Sequence, residues 1–402
     1  MRRGLDLGTL ARMTLFTTLP WLCTVAVLGV ASFVSIAGFL SFRPSLVRQA
    51  LEKRPLALIL LFAFAGWAVI SCLWSPYLDH VQALKLTATL CGGLLFAGAA
   101  TSDRDGRRLT FAAGLAACVV LGLLLGAEAI WTRPISHALH PELDVGTLDR
   151  TTGRATSVLV LMAWAGGGGL LNWGPRSLAR TGAVAALLMG VGVMSLQFEQ
   201  LSNAVAFGFG LVAFALGLLA PRLAVLGVSG GVAAWMLAAP FVTPALLSSQ
   251  RLVDALPTSA AARVDIWRYV ANRIPERFWF GHGLDASRMP TPWFPVRGGY
   301  AVQGIPLHPH SASMQIWFET GAVGAALAAA ALLACGWSLS RRLRDDRATA
   351  AAAAATIAAI GVIANVSYGV WQEWWDATML LAAALVASAS AMDNTARPSV
   401  SG

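Results

Sequence analysis

The stretch LFTTLPWLCTVAVLGVASFVSIAGFLSF, Leu15–Phe42, decides how the rest of the chain is read. It contains no charged residue. A helix rises about 1.5 Å per residue and a bilayer core is about 30 Å thick, so the stretch is too long for one comfortable span and short for two. The basic residues around it choose between the two. Lys and Arg collect on the cytoplasmic side of membrane proteins. They cluster here at Arg2/Arg3/Arg12, Arg43/Arg48/Lys53/Arg54, Arg104/Arg107/Arg108, Arg176/Arg180, Arg222 and Arg341/Arg342/Arg344/Arg347. One crossing would put the first two clusters on opposite sides, and every later cluster would conflict with the first. A hairpin of two short helices turning near Gly29–Ser35 puts all six on one side.

The rest of the sequence extends that pattern. Of 402 residues, 57% are hydrophobic and 12% charged, about half the charge of a soluble domain, which excludes one. Disorder is excluded because it needs low hydrophobicity and high charge. Apolar runs of spanning length recur at about Pro55–Trp74, Ala83–Ala100, Leu109–Trp131, Ala155–Trp173, Leu178–Gln197, Leu201–Ala220, Leu223–Thr243, Met314–Leu339, Ala348–Val370 and Trp374–Met392. The expectation is an all-α polytopic membrane protein: one membrane domain over residues 1–402, about twelve transmembrane helices, both termini cytoplasmic. The formal charge of +9 is then an orientation signal, and no nucleic-acid partner is expected. The basic N-terminus reads as the start of a retained first span, since no small-residue cleavage site follows it. Cys23, Cys72, Cys91, Cys118 and Cys335 all sit in apolar runs without metal-ligand spacing, as small buried hydrophobes do. Gly166–Gly169 lacks the context of a phosphate loop and reads as a close-packing patch in a membrane helix. The run Ala348–Ala355 reads as helix-forming composition, and Asp345-Asp346 as a solvated charged turn.

Two outer segments are long enough to carry chemistry, Thr132–Arg154 and Pro244–Ser313. The second, residues 244–313, is expected to form a large periplasmic loop with short helices. A loop longer than about 15 residues is usually functional or disordered, and this one interleaves Trp, Phe and Ile with charge, as an ordered cap does. Thr258-Ser259 offers an N-cap to a helix Ala260–Ile274 that Pro275 stops. On it Arg263 and Trp267 share a face, which makes Arg263 either a snorkelling interfacial arginine or a substrate contact. Phe280-Gly281-His282-Gly283 reads as a flexible turn.

His310 stands where a transmembrane helix begins. A helix N-terminus disfavours imidazolium, so this histidine should be neutral and able to accept a proton. His308, two residues earlier, precedes Pro309 and is biased to an extended conformation. Glu319 lies at or below the interface, where an ionisable group usually has a partner, and is either a buried structural carboxylate or a substrate contact. His308 and His310 could project to one side as metal ligands, but no third ligand stands at nearby spacing. No metal and no cofactor is expected.

The segments Arg263-Val-Asp-Ile-Trp267, Phe280-Gly-His-Gly-Leu-Asp-Ala-Ser-Arg288 and His308-Pro-His310-Ser-Ala-Ser-Met-Gln315-Ile-Trp-Phe-Glu319-Thr-Gly321 resemble the O-antigen ligase/O-antigen polymerase superfamily. In topology the resemblance covers the whole chain; in motif, about residues 263–324. It implies metal-independent, inverting glycosyl transfer at the periplasmic face of the bacterial inner membrane. The donor would be a glycan on undecaprenyl pyrophosphate, and the acceptor a hydroxyl of lipid A-core or of another glycan. By match to the motif His310 is the essential histidine and Arg263 an arginine of the pyrophosphate site. Arg154, Arg150, His308, Arg288 and Glu319 are expected to bind substrate. The sequence departs from the family at one place: many members carry Ser-Arg near the outer end of a middle helix, whereas Gln197-Phe-Glu199-Gln-Leu-Ser-Asn203 has no arginine, and Arg150 or Arg154 is expected to take over its charge.

Chemistry agrees with that implication. A leaving pyrophosphate needs fixed cations, and guanidinium matches phosphate bidentately. A neutral imidazole can take the proton of an attacking sugar hydroxyl. Ligase is the first reading, polymerase of O-antigen or exopolysaccharide the alternative. A transporter or lipid flippase is less favoured, because no two halves match and the ionisable groups gather at the outer interface.

Overall fold

The computed structural model describes residues 6–392, apart from 103, 176, 199 and 297–299. Of the residues singled out in the sequence, Arg2, Arg3, Arg176, Glu199 and the Arg104 side chain lie outside the described residues.

Among the described residues the chain is all-α apart from one small hairpin. The helices are α1 Leu7–Ala26, α2 Val30–Leu40, α3 Pro44–Lys53, α4 Leu56–Ile70, α5 Val81–Ala100, α6 Arg104–Ile130, α7 Pro134–Leu139 and α8 Val145–Asn172. They continue as α9 Leu178–Ser195, α10 Leu201–Leu219, α11 Pro221–Leu246, α12 Gln250–Ala255 and α13 Thr258–Arg273. The antiparallel strands β1 Trp293–Val296 and β2 Tyr300–Gln303 follow, with Phe294 opposite Val302. The last helices are α14 Ala312–Arg342, α15 Arg347–Val366 and α16 Glu373–Ala389. Among the described residues, 11 helical segments are long and apolar enough to cross a membrane, with Leu7–Leu40 counted once.

That first segment is a hairpin, as expected. Its two ends meet: Ser41 Oγ donates to the Gly8 carbonyl at 3.2 Å, and Arg43 pairs with Asp6. Two details differ from the expectation. The turn is at Val27–Gly29, where Ala26 leaves helical geometry (φ −154°, ψ 53°), rather than further on. And α1 begins at Leu7, capped by Asp6 accepting from Thr9 N–H at 2.7 Å, which gives the first arm the length of a full span while α2 stays short. Arg12, expected in the first cytoplasmic cluster, is buried in the hairpin and donates to Thr9 Oγ1 at 3.0 Å.

The centre of the bundle is a seam of small residues. α15 packs against α8, α10 and α11, and Ala348–Ala355 are all buried there. A Cβ on Gly217 of α10 would stand 2.4 Å from Ala351 Cα. Backbones approach closely where no side chain separates them, the usual way membrane helices associate. The alanine run is therefore a packing surface, more than the composition implied. Gly166–Gly169 is a close-packing patch, as expected: Gly168 joins the seam against the Ala348 carbonyl, while Gly166, Gly167 and Gly169 face the side chains of Leu187, Phe214 and Phe111.

The segment Thr132–Arg154 is not a free loop either. Asp144 caps α8 by accepting from Thr147 N–H at 3.0 Å, so the helix starts about ten residues, or 15 Å, before the apolar run Ala155–Trp173. Helix α13 starts at Thr258 with Pro257 in the cap position, two residues ahead of the expected start, and Pro275 ends it as expected.

Candidate active site

The site is organised around a break in α14. Gly321 has φ 67° and ψ −167°, so the helix is two pieces, Ala312–Thr320 and a longer one to Arg342. The second piece alone is long enough to cross a bilayer. A break strips backbone groups of partners, and buried ones must find others. Here they come from Phe278–Gly283. His282 and Gly283 N–H donate to the carbonyls of Phe318 and Glu319, both at 2.8 Å. Ala322 N–H donates to the Phe278 carbonyl at 2.8 Å and Val323 N–H to that of Trp279 at 3.2 Å. Trp67 Nε1 takes up the Thr320 carbonyl at 2.9 Å. The fit demands glycine: at Gly321 a Cβ would lie 2.4 Å from the Trp279 carbonyl oxygen, and at Gly281 (φ 69°) 2.3 Å from Glu319 C. What read as a flexible turn is a lock.

Glu319 closes the same lock. It is fully buried, and its carboxylate accepts from Asp285 N–H at 2.8 Å, Trp371 Nε1 at 2.5 Å and Gln315 Nε2 at 3.1 Å. With its oxygens occupied by protein donors, it holds the loop to α14.

The short piece of α14 carries the two histidines at its start. Ser311 is the N-cap, accepting from Met314 N–H at 3.4 Å; His310 precedes it in the left-handed region at φ 54°. A non-glycine residue held there costs about 1–3 kcal/mol and often marks a functional site. Trp267 of α13 donates to the Pro309 carbonyl at 2.8 Å and fixes the dipeptide between the rings.

The rings differ in what remains open. His310 Nδ1 is 2.8 Å from the Ser367 carbonyl. A carbonyl only accepts, so Nδ1 carries the hydrogen and the neutral ring presents Nε2 as a base. Among the described residues no hydrogen bond to His310 Nε2 is made. His308 is committed at both nitrogens: Nδ1 accepts from His310 N–H at 3.1 Å, and Nε2 faces the Gln372 carboxamide at 3.2 Å. With Nδ1 accepting, His308 Nε2 carries the hydrogen, which calls for the amide oxygen of Gln372; that oxygen is otherwise buried without a partner. Removal from water pushes the His310 pKa down to about 4, with the nearby Arg263 charge adding to the fall and the Ser367 hydrogen bond opposing it. Burial, then His310 and the charges of Arg288, Arg263 and Arg154, take His308 to about 3. Both rings are neutral at pH 7.

Those charges define the other half of the site. Arg263 and Arg154 are half-buried, and among the described residues neither has a carboxylate within 4 Å. Burial lowers the Arg263 pKa. Arg288 is nearby but is paired with Asp285 at 3.0 Å. Arg150 is exposed and donates to Thr147 Oγ1 at 2.7 Å, beside the helix cap. Of the two candidates for the missing middle-helix charge, Arg154 is the one whose charge reaches His308. Asn203, where the family's arginine is absent, donates to the Gly153 carbonyl at 2.9 Å, next to Arg154.

Sequence reasoning missed the turn between α15 and α16. Ser367 orients His310, and its hydroxyl donates to Ser202 Oγ at 2.7 Å. Tyr368 lies against Ser157 Oγ at 2.9 Å and donates to Gln200 Oε1 at 3.0 Å; burial raises its pKa to about 12. Asn365 ties this turn to Ser313 Oγ at 2.6 Å. A polar stretch, Asn365-Val-Ser-Tyr-Gly-Val-Trp-Gln372, between two apolar helices was the available signal.

Comparison with known proteins bears on this region. A family profile described as O-antigen ligase matches residues 184–329, which contain Arg263, both histidines and the break in α14. Over those residues the chain is similar to the O-antigen ligase family. A protein of Rickettsia conorii named polysaccharide ligase is 27% identical over 336 residues, 78% of this chain and 74% of the relative. A Rickettsia felis protein of the same name is 26% identical over 338 residues, 78% of this chain and 75% of the relative. A third, from Rickettsia prowazekii, is 28% identical over 187 residues, 44% of each chain.

Proposed function

We propose that the protein transfers a glycan from undecaprenyl pyrophosphate to a sugar hydroxyl of lipid A-core. The reaction would occur at the periplasmic face of the bacterial inner membrane, in one inverting step without metal. The observation that carries this reading is His310: its Nδ1 is occupied by Ser367, and among the described residues its Nε2 is open and the nearby Arg263 has no carboxylate partner, nor has Arg154 beside His308. Nε2 removes the proton of the acceptor hydroxyl as its oxygen attacks the anomeric carbon. The bond from that carbon to the pyrophosphate breaks, and the departing oxygen keeps the electron pair. Arg263 and Arg154 hold the pyrophosphate as its charge grows. Guanidiniums already paired with carboxylates would have to exchange partners; these do not.

A polymerase would use the same groups and differ in its acceptor. The test is transfer by the reconstituted protein from a lipid-linked glycan, offered lipid A-core and a second lipid-linked glycan in separate reactions. Transfer to lipid A-core, unchanged by EDTA, is expected. Transfer to the glycan alone would make it a polymerase, and transfer to neither would end the proposal. Labelling at Ser45 and Ser248 should reach them from opposite faces, with Ser248 periplasmic.

A further inference from the structure

We propose that α3 and the residues flanking it form a docking surface for anionic phospholipid headgroups, on the face of the protein opposite His310. The placement follows from α4. It starts at Leu56, just after α3, and the helical segment it opens, Leu56–Trp74, carries Trp67 and Trp74, which bond the Thr320 and Gly281 carbonyls of the lock. The two surfaces thus lie at opposite ends of a helix long enough to span.

Helix α3 cannot itself cross. It has 10 residues, about 15 Å, half a bilayer core. Leu46, Val47, Ala50 and Leu51 form one face, and Ser45, Arg48, Gln49 and Glu52 the other, the pattern of a helix lying in the interface. None of its residues is buried. Leu46 seats it against Gly98 of α5, while Phe42, Val47 and Leu51 stay 53%, 40% and 67% exposed. With Arg48, Glu52 and Arg54 they line a cleft of about 600 Å³. An apolar floor rimmed by guanidiniums suits acyl chain below and phosphate above.

The charges point to an anion. Arg43 is paired with Asp6, and Arg48 with Glu52. Among the described residues no ion pair is made by Lys53 or Arg54. Arg54 also sits in the left-handed region, at φ 40°, where its N–H closes the helix onto the Ala50 carbonyl. Glycine is the residue that suits such a position. The chain carries an arginine there despite the strain, as it does where a side chain has a task.

The test uses the full-length protein purified with its lipids and then exchanged into phosphatidylglycerol or phosphatidylcholine. Native mass spectrometry counts the lipid retained. Wild type should hold phosphatidylglycerol in preference to phosphatidylcholine, and inorganic phosphate should not displace it. Lys53→Gln and Arg54→Gly should each weaken that retention about fivefold, the contribution of one basic residue near an anionic surface. Arg54→Gly relieves the strained backbone, so its Tm should hold or rise while lipid is lost, a combination that a purely structural Arg54 would not give. Equal retention of the two lipids, displacement by inorganic phosphate, or wild-type retention in both variants would overturn the proposal.

Discussion

Two arginine-bearing regions sit at the same end of α8, and they are built on opposite principles. Around Glu128 every charge is answered. Arg133 pairs with Asp149, donates to the Glu128 carbonyl at 2.7 Å and lies 4.5 Å above the Phe198 ring. The Glu128 carboxylate, fully buried, accepts from Ile135 N–H at 2.8 Å and from Ser136. Around His310, among the described residues, Arg263 and Arg154 have no such partners, and one imidazole nitrogen is open. Apolar surroundings make an unanswered charge expensive, so the second region is maintained for something the first does not do. A satisfied arginine holds structure, and an unsatisfied one at comparable burial is free to take a ligand, as the proposed transfer requires.

The sharpest way to break the comparison is His310→Ala. General-base catalysis contributes about 100- to 10,000-fold, and that loss is expected in glycan transfer with no fall in Tm, while His308→Ala costs less. Near-wild-type turnover of His310→Ala would remove the mechanism. The closed region should respond in the opposite sense. Breaking a buried pair costs about 3–5 kcal/mol, so Arg133→Ala should lower thermal stability in detergent markedly while the surviving folded fraction keeps its KM; a selective loss of kcat would put Arg133 in the chemistry.

Among the open cations the effects are smaller. A hydrogen bond to a charged group is worth about 1.5–3 kcal/mol, so Arg263→Ala should cost roughly 10- to 150-fold in kcat/KM. Arg263→Lys should recover only part of it, because the planar fork is gone. Arg154→Ala should follow, and Arg150→Ala should change little; equal losses at 150 and 154 would contradict their placement. The smallest effect expected is that of pH. His310 loses its proton above about 4, so the base form is complete at neutrality and transfer should stay level from pH 8 to about 5. The unfolded chain takes up that proton near 6.5, so stability, rather than turnover, should decline as pH falls from 6.5 towards 4. A loss of kcat between pH 7 and 6 would mean that the imidazole stands in water.

The helices were legible because twenty-residue apolar runs have few other meanings, and the hairpin was legible from charge alone. Its turn was misplaced because Arg12 read as part of the first cytoplasmic cluster, when its burial depends on Ser41, across the hairpin. The alanine run carried no sign of its depth, since alanine suits a helix anywhere; only the neighbouring glycines of α8 and α10 reveal it as a seam. In the site, His310 and Arg263 were legible as residue types in sequence order. The role of Glu319 was not, because one carboxylate serves a substrate or a backbone equally well until its donors are known. The turn Ser367–Gln372 was missed for a related reason: it acts mainly through a carbonyl, and every residue has one.

The break at Gly321 also has a history written into the order of synthesis. A ribosome makes Phe278–Gly283 before it makes Gly321, so the partner strand for the broken helix already exists when the helix emerges. Had the order been reversed, the freed carbonyls of Phe318 and Glu319 would wait without partners, and in lipid each unsatisfied group costs several kcal/mol. The chain meets the difficulty by delivering the template first, and α14 can be bent as it forms.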